Sequence, residues 1–249
     1  MTQPDTATQI AELQARLQQS EARNAALQDE LEHFVRNVSH DLRAPLRHIS
    51  AYAPLVREML AEGEDPAPCL DTLEQSARSM ARMVDALLEL SRLGRIPLQC
   101  QPLDMAALVA EARRELAADC AGRNIAWQLP DTWPALNGDA ALLRQLWRHL
   151  LSNAIKFTRP RLQAQIAMGW EPAAEGFSFW VRDNGVGFNP AASGTMFGLF
   201  QRLHTVSEFE GAGIGLALAR KIVQRHGGSM SAQAVQDGGC TVRFTLAAG

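Results

Sequence analysis

The sequence has no surplus of positive charge: 24 Lys and Arg stand against 27 Asp and Glu, a net charge of −3. A protein that neutralises nucleic-acid phosphates needs a basic surface, so no nucleic-acid partner is expected. Long apolar runs are missing too. No uninterrupted stretch approaches the ~18–20 residues of a membrane span. The leading MTQPDTATQI lacks the basic residues and apolar core of a secretory signal. The expectation is a cytoplasmic protein with no membrane span. Four cysteines, Cys69, Cys100, Cys120 and Cys240, form no CxxC pair and have no His-rich segment beside them. Neither a zinc site nor a disulfide framework is suggested, and the thiols read as buried and reduced. There is no internal repeat, no low-complexity tract, and no GK[ST] element of a P-loop.

What is present suits two small domains: 249 residues, 47% of them hydrophobic. From Ile10 to Val38 the spacing alternates three and four, through Leu13, Leu17, Ser20, Asn24, Leu27, Leu31 and Phe34. This is a coiled-coil seam, with Asn24 as a polar a residue that favours a parallel, in-register dimer; the alternative is a lone amphipathic helix lying on another domain. The stripe continues through Leu42, Leu46, Ile49, Ala53, Val56 and Leu60, until AEGEDPAP (61–68) makes a loop. A second helix follows, with Leu70, Leu73, Ala77, Met80, Val84 and Leu87 on one face, ending near Gly94–Pro97. Two such hairpins would pair as a dimeric four-helix bundle.

Beyond Pro97 the periodicity mixes. Strands are expected at 98–103, 124–129, 163–170, 177–182, 230–235 and 241–246, and helices at 105–118, 140–157 and 214–226. That order implies an α+β two-layer sandwich with its helices on one face of a mixed sheet. The expected division is a coiled-coil helix over 1–33, a helical hairpin over 34–95, and the sandwich over 96–249.

Four segments carry chemistry. In SHDLRAPL (39–46), His40 lies off the apolar stripe and should face solvent, although a lone helical histidine is most often just surface or core. Asp41 can accept the Nδ1–H and leave Nε2 as nucleophile. Pro45, which costs about 3 kcal/mol inside a helix, suggests a bend beside the reactive group. In LLSNAIKFT (150–158), Asn153 and Lys156 share a helix face, and an amide oxygen suits Mg²⁺ while the lysine neutralises phosphate; an ordinary helix end reads equally well. In VRDNGVGF (181–188), Asp183 ends a strand before Gly185 and Gly187, so a carboxylate can accept an adenine amine while backbone approaches the base; a tight hairpin is the other reading. In GAGIGLALARKIVQRHGG (211–228), Gly211, Gly213 and Gly215 lead into a helix whose N-terminal N–H groups can cradle phosphates.

The four segments in this order, with FGLFQRLH (197–204) between the last two, resemble sensor histidine kinases of two-component systems, most of all the phytochrome-type subgroup. The resemblance covers about 34–246. It implies a homodimeric protein kinase that transfers the γ-phosphoryl group of ATP to His40, with Asp41 as general base, and then to an Asp of a response regulator. Asn153 would hold Mg²⁺, Asp183 the adenine, and Gly185 and Gly187 the wall of the base pocket. Gly211, Gly213 and Gly215 would face the phosphates, with Lys156, Arg202 and His204 as further contacts. Three departures stand out. Ala44 replaces the Thr or Asn that positions water in relatives with strong phosphatase activity, so weak phosphatase activity is expected. His149 stands where many relatives carry a second Asn, which points to altered metal affinity. Ala192 and Thr195 replace lid residues that are often Tyr and Lys. The last three residues favour a rival reading, a catalytically poor ATP-binding scaffold. With only residues 1–33 ahead of the phosphoacceptor helix, no sensor domain is expected.

Overall fold

The computed structural model describes residues 6–190, 194, 196–201, 203, 208–211 and 213–247; along the first helix it describes side chains from 14 onward, except 23, 26, 27, 30, 31 and 33. The seam positions Ile10, Leu13, Leu27 and Leu31 are thus outside the described side chains. Contacts divide the chain into two compact units, one up to Met80 and one from Ala81.

The first unit is built on α1 (Thr6–Glu62) and the start of α2 (Ala67–Arg95). At 57 residues, α1 runs for about 85 Å without interruption, even though it contains Pro45 and Pro54. Neither ring has an N–H to give the helix, yet the helix continues through both. Gly63, at φ +76°, ends α1, and Glu64 N donates to Met59 O at 2.8 Å. Asp65 then accepts from Ala67 N at 3.0 Å and starts α2. The two helices form the expected hairpin. Of the stripe on α1, Val38, Leu42, Ile49, Ala53 and Val56 are partly covered, while Leu46 and Leu60 are exposed. No described helix is long and apolar enough to cross a membrane.

In the second unit, α2 is followed by β1 (Cys100–Pro102), α3 (Met105–Glu115), β2 (Ile125–Gln128), β3 (Asn137–Asp139) and α4 (Ala140–Phe157). Then come β4 (Ala164–Ala173), β5 (Gly176–Asp183), α5 (Gly215–Arg225), β6 (Met230–Val235) and β7 (Gly239–Ala247). The main sheet has the order β2-β4-β5-β7-β6, parallel between β2 and β4 and antiparallel elsewhere. β1 and β3 pair apart from it, and β3 was not expected: Asn137-Gly138-Asp139 has no strand pattern and owes its conformation to that pairing. Helix α3 stops three residues short of the expected end.

The core lies between the sheet and α3, α4 and α5. Leu143, Leu146, Trp147, Leu150, Leu151, Ala154 and Ile155 recur at helical spacing and turn one face of α4 inward. Trp147 meets Phe244 and Phe179 edge-on, at 5.4 and 6.4 Å between ring centroids. Polar side chains fix both ends of α4. Asp139 caps its start by accepting from Leu142 N at 3.1 Å, and also from Gln99 N at 3.1 Å. Arg123 closes its end, donating to Ile155 O (2.6 Å) and Thr158 Oγ1 (3.0 Å). The end of α4, the start of α5 and the end of β5 meet around one cavity.

Candidate functional site

A cavity of about 550 Å³ opens there, and Asn153, Lys156, Asp183, Gly187, Gly211, Gly213 and Gly215 all line it. The size falls in the range of small-molecule sites. Gly185 is not in the lining, and Arg202, His204, Ala192 and Thr195 lie outside the described residues.

Asp183, the last residue of β5, is 8% exposed. Burial pushes its carboxyl up to about 6, against the opposing pull of backbone N–H groups at Gly185 and Cys240; the Gly185 N–H reaches Oδ1 at 2.8 Å. At neutral pH the group is an anion with unspent acceptor capacity, turned into a cavity. Cys240 lines the same cavity, but burial, and then the charge of Asp183, push its thiol up to about 12, so it is no nucleophile.

The two glycines of this loop are required by the protein around them. A Cβ on Gly187, which sits at φ +61°, would run into the Val235 carbonyl, and one on Gly185 would come 2.6 Å from the Phe157 carbonyl. The expectation was close approach to a base; the structure shows close approach to neighbouring backbone. Two residues that motif reading passed over hold the loop. Arg161 donates to the carbonyls of Asn184 (2.8 Å), Gly185 (2.9 Å) and Asp237 (2.5 Å). Asn184 accepts from Gln165 N (2.8 Å) and donates to Gln163 O (3.1 Å). Asn184 at least lay inside a recognised box. Arg161 sits in no local pattern, and its three carbonyls come from two distant segments.

Elsewhere on the cavity wall α5 begins at Gly215, so its first N–H groups are at that wall. Gly211 and Gly213 have φ of +137° and +69°, and the point where a Cβ on Gly211 would stand is 3.4 Å from Lys156 Nζ. Residues 208–210 are held against the end of α4 by the Arg159–Glu210 ion pair (2.5 Å) and by Phe157 against Phe209 at 5.1 Å. Phe197 and Phe200 are both buried, Phe197 packing with Phe188 and Met196.

His149 also lines the cavity, one turn before Asn153. The ring is partly buried, with Nδ1 3.3 Å from where a Cβ on Gly215 would stand. Its Nε2 is enclosed and has no hydrogen-bond partner among the described residues. Burial, and then the charge of Arg148, bring its pKa down to about 4, so the ring is neutral.

In the other unit, on α1, His40 Nδ1 and Asp41 Oδ1 are 3.1 Å apart; the His40 side chain is 78% exposed and that of Asp41 25%. The carboxylate accepts the Nδ1–H, which leaves the Nε2 lone pair toward solvent.

Comparison with known proteins matches two stretches of the chain. Residues 30–96 match the family model of the His Kinase A (phospho-acceptor) domain. Residues 138–249 match that of the histidine kinase-, DNA gyrase B-, and HSP90-like ATPase. The chain is 34% identical over 247 residues to the methanogenesis regulatory histidine kinase FilI of Methanothrix harundinacea, covering 98% of this chain and 27% of that protein. It is 32% identical over 246 residues to cyanobacterial phytochrome B of Nostoc sp., covering 96% and 31%. It therefore spans less than a third of either relative. Among solved structures, histidine kinase ThkA in complex with response regulator protein TrrA gives a TM-score of 0.67 at 15% identity, over 94% of this chain and 66% of that one. Full-length ShkA in complex with AMPPNP gives 0.56 at 24% identity, over 86% and 46%. These two share the fold. With both domain models met in order and the sequence relatives aligned along almost all of its length, the chain carries the phospho-acceptor and ATPase domains of the sensor histidine kinases.

Proposed function

We propose that this chain is an ATP-dependent protein histidine kinase that phosphorylates itself on His40 and passes the phosphoryl group to an aspartate of a response regulator. The observation that carries this is the His40–Asp41 pair, an exposed imidazole whose outward nitrogen keeps its lone pair because a carboxylate holds the other nitrogen's proton. In the reaction, Nε2 forms a bond to the γ-phosphorus as the bond from that phosphorus to the β–γ bridging oxygen breaks, and ADP leaves. Such a transfer asks a protein chiefly for position and charge neutralisation. The cavity supports this reading: a buried carboxylate, Asp183, meets an adenine amine at one side, and the start of α5 with Lys156 meets the phosphates at the other. Two fold relatives are held with AMPPNP and with a response regulator protein, in keeping with these ligands.

The residues present also fit a cation. Among the described residues no group of three or more His, Cys, Asp or Glu is placed to hold a metal. A Mg²⁺ ion held by Asn153 would therefore take its remaining ligands from nucleotide phosphates and water, as that ion commonly does. Once bound it offsets the negative charge of the phosphates. Dimerisation through the helices follows from the apolar residues a single chain leaves uncovered, among them Leu17, Leu46, Leu60, Leu70 and Val84. Ala44 supplies no polar atom to position water, so dephosphorylation of the phosphorylated regulator is slow. Incubation with γ-labelled ATP and Mg²⁺ tests the kinase. Acid-labile, alkali-stable label that is lost in His40→Gln is expected. Nucleotide binding without any label would establish instead the scaffold, the reading that the unusual His149 favours.

A further inference from the structure

His149 is an element of the cavity wall to which the proposed function gives no role. It lies one helical turn before Asn153 on α4, and residues at that spacing are neighbours on a helix surface. Both line the cavity, and the ring borders Gly215 at the start of α5, the end assigned to phosphates. Nε2 is enclosed and has no hydrogen-bond partner among the described residues. A polar atom left this way is unfavourable, so a ligand that pairs with it would recover the loss. A proton is a poor candidate for that ligand, because burial and Arg148 both disfavour the charged ring.

We propose that His149 is a ligand, beside Asn153, of the cation that accompanies the nucleotide, and that it turns the site's preference from Mg²⁺ toward divalent first-row transition cations. The inference rests on the nucleotide site proposed above. Its chemistry follows from the donors. Mg²⁺ is hard, prefers oxygen and gives up water reluctantly, whereas imidazole suits the borderline cations, with affinity rising from Mn²⁺ to Co²⁺. A neutral imidazole next to an amide oxygen is a mixed nitrogen–oxygen donor pair. With the phosphate oxygens of a nucleotide it makes an adequate shell for Co²⁺ or Mn²⁺ and a mismatched one for Mg²⁺. In this wall, glycine at 215 gives the ring its room.

The test uses the full chain and AMPPNP, with binding measured calorimetrically in Mg²⁺, Mn²⁺, Co²⁺ or EDTA. The wild type is expected to bind about tenfold tighter with Co²⁺ than with Mg²⁺, and Mn²⁺ to fall between them. In His149→Asn the difference should shrink to about twofold, because an amide oxygen restores a hard donor. Pulsed electron paramagnetic resonance of the wild-type Mn²⁺–AMPPNP complex should show coupling to a directly bound imidazole nitrogen; this measurement decides the matter even if the variant does not fold. Equal cation preference in the two proteins, or no nitrogen coupling in the wild type, overturns the proposal, and equal weakening with every cation would mark His149 as a phosphate contact instead. Failure of the wild type to bind AMPPNP under any condition overturns the nucleotide site itself, a result distinct from both.

Discussion

Replacing Asp183 with Asn separates what the carboxylate does for nucleotide from what it costs the fold. Its pKa is raised from 3.8 to about 6 by burial. At 1.36 kcal/mol per unit, keeping the group charged at neutral pH disfavours the folded state by about 3 kcal/mol. Asn keeps an oxygen for the Gly185 N–H but brings a buried amide NH₂, and leaving that unpaired costs about 1–3 kcal/mol. The net is a variant between equally stable and about 2 kcal/mol more stable, with a melting temperature higher by at most about 8 °C. Nucleotide binding moves the other way. At the proposed adenine contact a charged acceptor is lost and a donor takes its place, so AMPPNP affinity should fall about 100-fold. The pH dependence carries the same signature. Because the folded pKa lies above the unfolded one, the stability this group contributes is full below pH 4 and is lost as pH rises through about 6. AMPPNP affinity rises over that upper interval, as the carboxylate ionises. Asp183→Asn should show neither dependence. Thermal denaturation and calorimetry from pH 5 to 8 measure both. A variant that melts several degrees lower yet binds AMPPNP like the wild type would refute the reasoning and make Asp183 a structural residue.

Two further outcomes follow from the loop after β5. Gly187→Ala puts a Cβ at φ +61° against the Val235 carbonyl and should destabilise the protein by about 2–4 kcal/mol, read as a lower melting temperature; a wild-type melt would refute the packing argument. Arg161→Ala leaves the carbonyls of Asn184, Gly185 and Asp237 without that donor, and AMPPNP affinity should fall about three- to tenfold. Unchanged affinity would show that the loop keeps its shape without the arginine.

Much of this was legible in the sequence, for reasons that differ between elements. Helix α4 was found to the residue because its apolar residues recur at helical spacing along its length. β6 was found as well, its inward residues Met230, Ala232 and Ala234 alternating with Ser231 and Gln233. β3 was hidden because Asn137, Gly138 and Asp139 become a strand only by pairing with β1. The exposure of His40 could be read from its offset to the Val38–Leu42–Leu46 stripe, and its bond to Asp41 from adjacency alone. Gly185 and Gly187 were found by motif, but the reason for them was not, since Phe157 and Val235 reach them only in the fold. Arg161 left no trace in the sequence, because a side chain that bridges distant carbonyls needs no motif of its own.

The stitching of that loop has a consequence for how affinity can change. Arg161, the carbonyl of Val235 and the bond from Asp237 N to Val186 O (2.7 Å) fix the backbone around Asp183 from the β6–β7 turn. The binding-competent shape therefore exists before any ligand arrives, and the entropy of ordering it is charged to folding. A protein in which only a fraction of molecules hold that shape would bind more weakly by the same fraction. Substitutions at Val235–Gly239, far in sequence from the box that names the site, can thus reset nucleotide affinity without altering one atom that faces the nucleotide.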